Sequence, residues 1–92
     1  MKFENDVVVV GGCGHVGLPL AIILASKNLK VVAFDTNTQV VATVNSGKMP
    51  FDEPGAPEVL TEVLRTKLFS ASSDKKLVSN IIIETPKILH FE

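Results

Sequence analysis

The sequence predicts an α/β fold: a partial doubly wound sheet of about four mainly parallel strands with flanking helices. Three observations carry that reading. Val7-Val8-Val9-Val10 is a β-branched run, apolar on both faces, which suits a strand buried inside a parallel sheet. The run stops at Gly11-Gly12, and an apolar segment at helical spacing follows directly. Strand-like and helix-like segments then alternate, an order that right-handed crossovers convert into a parallel sheet.

The elements follow in order. Val16, Leu18, Leu20, Ala21, Ile23, Leu24 and Ala25 form the apolar stripe of a first helix, with Pro19 in its opening turn. Asn28 is a left-handed stop for it. Lys30 to Asp35 reads as a second strand. Thr36 or Asn37 caps a second helix that carries Val40, Val41 and Val44 and ends at Gly47. Lys48 to Gly55 is a loop by its prolines and glycines. Pro57 opens a third helix with Val59, Leu60, Val63 and Leu64 inward. Leu68 to Ala71 is a short third strand, Ser73 or Asp74 caps one helical turn, and Ile81 to Ile83 is a fourth strand.

With 92 residues, the chain has room for one small domain. We read it as a single incomplete domain over 1–92, atypical from about residue 80. Hydrophobic residues make up 46% and charged residues 21%, which fits a globular chain. A net charge of -1 gives no reason to expect a nucleic-acid or membrane partner. The single cysteine, Cys13, cannot form an internal disulfide, and a cytoplasmic location is the expectation. A strand such as Ile81 to Ile83, lacking its outer neighbour, would present an open apolar edge, so self-association is expected.

The chemistry sits in Gly12-Cys13-Gly14-His15-Val16-Gly17, a GxGxxG between a buried strand and a helix. In that setting Gly12 allows the tight turn and Gly14 keeps a Cβ away from a pyrophosphate. Gly17 lets helix and sheet approach. The helix start offers N–H groups and a positive dipole end to phosphates. Asp35 lies 23 residues after Gly12, close to the spacing of about 20 at which an acid meets the adenosine ribose. Its carboxylate would repel a 2′-phosphate, and Thr36-Asn37 supply no arginine to receive one. These residues form the Rossmann dinucleotide fingerprint, and NAD is the expected cofactor over NADP.

Plainer readings stand beside these. Asp35 could simply cap the next helix, and Cys13 is a spacer in the phosphate loop with no base nearby in sequence. His15 could touch phosphate or pack against neighbours, and Val16 could contribute backbone. Asp52 and Glu53 could work as an acid–base pair, but a solvated loop explains them more simply. No spacing suits a metal, since His15 and His90 are the only histidines. No residue is assigned a catalytic role.

Val9 to Ala21, with Leu18-Pro19 after the third glycine, resembles the opening of the UDP-glucose/GDP-mannose dehydrogenase family. Asn45 to Gly55, ending Glu53-Pro54-Gly55, looks like that family's second signature, and Leu68 to Asp74 resembles its third strand. The likeness covers about residues 6 to 79. It implies an N-terminal NAD domain followed by a helical dimerisation region and a nucleotide-sugar domain. Such enzymes oxidise a sugar C6 hydroxyl to a carboxylate in two hydride transfers. The family's catalytic cysteine and lysine would lie beyond residue 92, so Cys13 is not that cysteine. Gly12, Gly14, Gly17 and Asp35 carry over as cofactor contacts, with His15 and Val16 as contributors. Glu84 before Thr85-Pro86, and Lys87 to Glu92, depart from the pattern. Two readings follow: the NAD-binding portion of a nucleotide-sugar 6-dehydrogenase, inactive alone, or a stand-alone NAD or adenine-nucleotide binder without catalysis.

Overall fold

The valine run does form a central strand. A computed structural model describes residues 5–79 and 87–90, and in it β1 (Val7–Val10) is paired on both sides. One neighbour is β2 (Val31–Phe34), which pairs in turn with β3 (Phe69–Ser72). The other is β4 (Lys87–His90). All these pairings are parallel, and the order is β3-β2-β1-β4. That is the 3-2-1-4 core of a doubly wound nucleotide-binding sheet. The expected fourth strand at Ile81 to Ile83, with Glu84 and Thr85-Pro86, lies outside the described residues. The strand beside β1 comes instead from the tail, at Lys87–His90.

Among the described residues, four helices lie in the crossovers: α1 (Gly17–Ser26), α2 (Thr38–Asn45), α3 (Ala56–Arg65) and the single turn α4 (Lys76–Ser79). Local chemistry sets their ends. Asn28 takes a φ of 73° just after α1, as its left-handed reading requires. Asn37, rather than Thr36, caps α2, its Oδ1 accepting from the N–H groups of Gln39 and Val40 at 3.1 Å. Gly47, at φ 94°, stops the chain from continuing that helix. Pro57 sits in the first turn of α3, after a left-handed Gly55. Asp74 Oδ1 accepts from Lys76 N–H at 3.0 Å, ahead of α4.

The core is unequal on the two faces of the sheet. On one, Val9, Val31, Ala33 and Phe69 meet Leu18, Ala21 and Ile22 of α1, Val44 of α2, and Leu60 and Val63 of α3. On the other, Val8, Val32 and Phe34 are buried with Val10 and Leu77 packed against them. The stripe expected for α1 is corrected here. Ile22 is buried, while Ile23 is 51% and Val16 59% exposed. The segment is apolar nearly all round, so periodicity had no polar face to orient it.

Strand β3 lies at the sheet's edge, and α2 closes that edge. Asn45 donates Nδ2–H to the Ala71 carbonyl at 2.8 Å, and its Oδ1 accepts from Ala71 N–H at 2.9 Å. One side-chain amide thus satisfies a backbone donor and acceptor that a further strand would otherwise take. Asn45→Ala leaves both Ala71 groups unpaired and should cost about 1–3 kcal/mol. Urea unfolding checks this, and an unchanged midpoint would show that water replaces the amide freely.

Candidate cofactor site

The turn from β1 to α1 is pressed against the end of β2. Gly11 and Gly12 both donate N–H to the Phe34 carbonyl, at 2.9 and 3.0 Å. A Cβ on Gly12 would lie 2.6 Å from the Ala33 Cβ and from the Val9 carbonyl oxygen, too close for any side chain. The left-handed residue is Gly11, at φ 77°. The tight turn expected of Gly12 is therefore made by Gly11, and Gly12 instead permits the close approach to β2. At Gly17 a Cβ would come within 2.5 Å of the Gly11 carbonyl oxygen, so the close approach this glycine permits is of α1 to the turn after β1.

Gly14 differs from both. An added Cβ would meet only the Gly11 oxygen, at 3.5 Å, which is ordinary contact. The chain's own packing therefore gives no reason for glycine there, and the space above it is open to a ligand. Among the described residues, the N–H groups of His15, Val16 and Gly17 donate to nothing, while Leu18 N–H reaches the Gly14 carbonyl at 3.0 Å. Free N–H groups at the start of a ten-residue helix are the donor set a phosphate needs. The residues present fit a dinucleotide.

Asp35 continues the sheet: its N–H donates to the Ser72 carbonyl at 3.0 Å. Its half-buried carboxylate is held from both sides. Oδ2 accepts from Cys13 N–H at 3.3 Å, and Oδ1 accepts from Asn37 N–H at 3.1 Å. The alternative role as cap of α2 belongs to Asn37. The phosphate turn and the acid are thus hydrogen-bonded to each other, a tie the sequence did not announce.

His15 and Val16 both project into solvent. The His15 ring stacks on Phe51, with centroids 4.2 Å apart and planes inclined by 22°. Phe51 belongs to the loop between α2 and α3, which sequence reading treated as a signature without a partner. That loop lines an open hollow of about 700 Å³ with Lys48, Met49 and Pro54. Asp52 and Glu53 line it too, both exposed, as the solvated-loop reading expects. Among the described residues, no cluster of histidine, cysteine and carboxylate side chains could hold a metal, and no helix is long and apolar enough to cross a membrane.

Residues 6–88 match the family model described as the UDP-glucose/GDP-mannose dehydrogenase family, NAD binding domain. The chain belongs to this family. It is similar to a UDP-N-acetyl-D-mannosamine dehydrogenase of Campylobacter jejuni, 34% identical over 94% of this chain and 21% of that protein. It is also similar to a UDP-glucose 6-dehydrogenase of Caenorhabditis elegans, 34% identical over 86% of this chain and 18% of that protein. The crystal structure of a GDP-mannose dehydrogenase from Pseudomonas aeruginosa superposes with a TM-score of 0.74 at 28% identity. It covers 78% of this chain and 16% of the other. The chain thus spans about a fifth of the length of the curated relatives it matches. It is an NAD-binding domain of a family of NAD-dependent sugar dehydrogenases, with the Rossmann-type fold expected of one.

Cys13 is buried behind the turn. Burial, reinforced by the Asp35 carboxylate, pushes its thiol from 9.0 up to about 12. A protonated, enclosed thiol is a poor nucleophile, which agrees with its role as a spacer. In the folded chain it should resist a thiol reagent at pH 8 and react only after urea is added. Because the folded thiol holds its proton more tightly, its contribution to stability is complete below pH 9 and declines between 9 and 12. Urea midpoints of wild type and Cys13→Ala, compared from pH 7 to 11, should converge as pH rises. Rapid labelling of the folded chain would contradict this.

Proposed function

We propose that the turn Gly12 to Gly17 and Asp35 hold NAD, and that the chain supplies the cofactor half of a nucleotide-sugar 6-dehydrogenase. The observation that carries this is the open space over Gly14 beside the N–H groups of His15, Val16 and Gly17, which have no acceptor among the described residues, with Asp35 tethered across the same turn. The pyrophosphate would lie over Gly14 and accept from those N–H groups, favoured by the positive end of α1. Asp35, its carboxylate already oriented by two backbone donors, would accept the adenosine ribose hydroxyls. Bound NAD supplies the hydride acceptor for oxidation of a sugar C6 hydroxyl to a carboxylate. The substrate class is a UDP- or GDP-sugar, as the relatives' names suggest.

Calorimetry with NAD, NADP and ADP tests the binding. NAD should bind with roughly millimolar affinity, near 4 kcal/mol, and NADP more weakly because Asp35 meets its 2′-phosphate charge to charge. Asp35→Ala should weaken NAD and narrow the gap between cofactors. Gly14→Val, whose Cβ the turn itself accommodates, should abolish binding while the circular-dichroism spectrum is largely kept. Equal affinities for NAD and NADP in wild type, or normal binding by Gly14→Val, would place the ligand elsewhere.

Hydride transfer needs the sugar held about 3–3.5 Å from the cofactor, and the described residues build only one wall of such a cleft. The chain alone should therefore not reduce NAD with any UDP- or GDP-sugar. Adding a separately expressed remainder of a family member should restore NADH formation, measured by absorbance. Turnover by the chain alone refutes this assignment. Binding that never yields activity on complementation favours a stand-alone nucleotide binder.

A further inference from the structure

We propose that Phe51 is a positioning residue for the dinucleotide. Stacked on His15, it pins the loop between α2 and α3 to the phosphate turn and holds that turn ready for the pyrophosphate. The inference rests on the reading of residues 12–17 as the NAD site.

The turn needs such a hold. Gly14 and Gly17 have no side chains to pack, and Val16 is 59% exposed. The turn's first half is held by Gly12 N–H to the Phe34 carbonyl at 3.0 Å, Cys13 N–H to Asp35 Oδ2 at 3.3 Å and Gly14 N–H to the Gly11 carbonyl at 3.2 Å. Past Gly14, among the described residues, the bonds are those that begin α1. The turn's N–H donors at His15 and Val16 have no acceptor among the described residues that would fix their direction. Among the described residues, the stack of His15 on Phe51 is the aromatic contact that ties this stretch to another part of the fold.

Phe51 is suited to carry it. The loop is tied at its start, where Lys48 N–H donates to the Thr43 carbonyl at 3.2 Å, and at its end, where Ala56 N–H donates to the Glu53 carbonyl at 3.0 Å. Between those ties Met49 and Phe51 pack against the main core. Phe51 is therefore half-buried, touching the core and the turn at once. A ring anchored this way transmits the rigidity of the helix layer to groups that would otherwise be ordered only when the ligand arrives. Ordering them beforehand strengthens binding without a new ligand contact.

Phe51→Leu keeps an apolar side chain toward the core and deletes the stack. It should weaken NAD by about 2- to 10-fold, the worth of one aromatic pair, with the thermal midpoint little changed. Phe51→Tyr should restore wild-type affinity. His15→Ala should lose a comparable amount or more, and Phe51→Leu added to it should cost nothing further, because the two act through one contact. If Phe51→Leu does not fold, the comparison of wild type, Phe51→Tyr and His15→Ala still decides. Unchanged NAD affinity in Phe51→Leu or in His15→Ala overturns the proposal, as do losses that simply add. A wild-type chain that binds no NAD overturns the functional reading and this one together. Binding by wild type with an inert Phe51 overturns this one alone.

Discussion

The structure depends on how closely the first turn lies on the second strand. Gly12 meets Ala33 with no room for a Cβ, and the Phe34 carbonyl accepts from two successive N–H groups of the turn. Everything chemical is built on that contact. It brings Cys13 N–H to the Asp35 carboxylate and aims the start of α1 across the end of the sheet. An acid and a set of free donors, far apart in sequence, thereby share one rigid frame. Neither could be placed for a dinucleotide if the turn stood even one methyl group further from β2.

The glycines of the motif do different work, and only the geometry separates them. At positions 12 and 17 a side chain would strike the protein itself, so those glycines belong to the fold. At position 14 it would strike nothing closer than 3.5 Å, so the packing of the described residues does not demand glycine there. A motif written as one string thus contains two positions the fold itself constrains and one it leaves open. The left-handed turn is a third task, and it falls to Gly11, just before the string begins.

What could be read from the sequence was local. The four valines, Asn28, Asn37 and Pro57 each act within a few residues, so their roles could be argued in advance. What could not be read depends on contacts across the fold. The apolar surround of α1 hid which of Ile22 and Ile23 faces the core. Asn45 entered only as the first residue of the segment Asn45 to Gly55 and proves to be the neighbour of an edge strand. His15 and Phe51 are 36 positions apart, and nothing in either segment names the other. The tail strand escaped because Lys87 to His90 pairs with β1 in a register that only the assembled sheet defines.

That last pairing bears on how the molecule assembles. Val7 aligns with Lys87, so the sheet's central strand waits for a partner 80 residues further along the chain. Joining such distant segments carries about 1 kcal/mol more loop-closure entropy than joining β1 to β2, where Val7 meets Val31. On a ribosome the β3-β2-β1 side can form while the chain is still growing, but the other edge of β1 stays bare until the tail emerges. For that interval an all-valine strand offers an unsatisfied backbone edge. Its four consecutive valines make that interval the time of greatest exposure to mispairing, before any ligand is present to hold the turn.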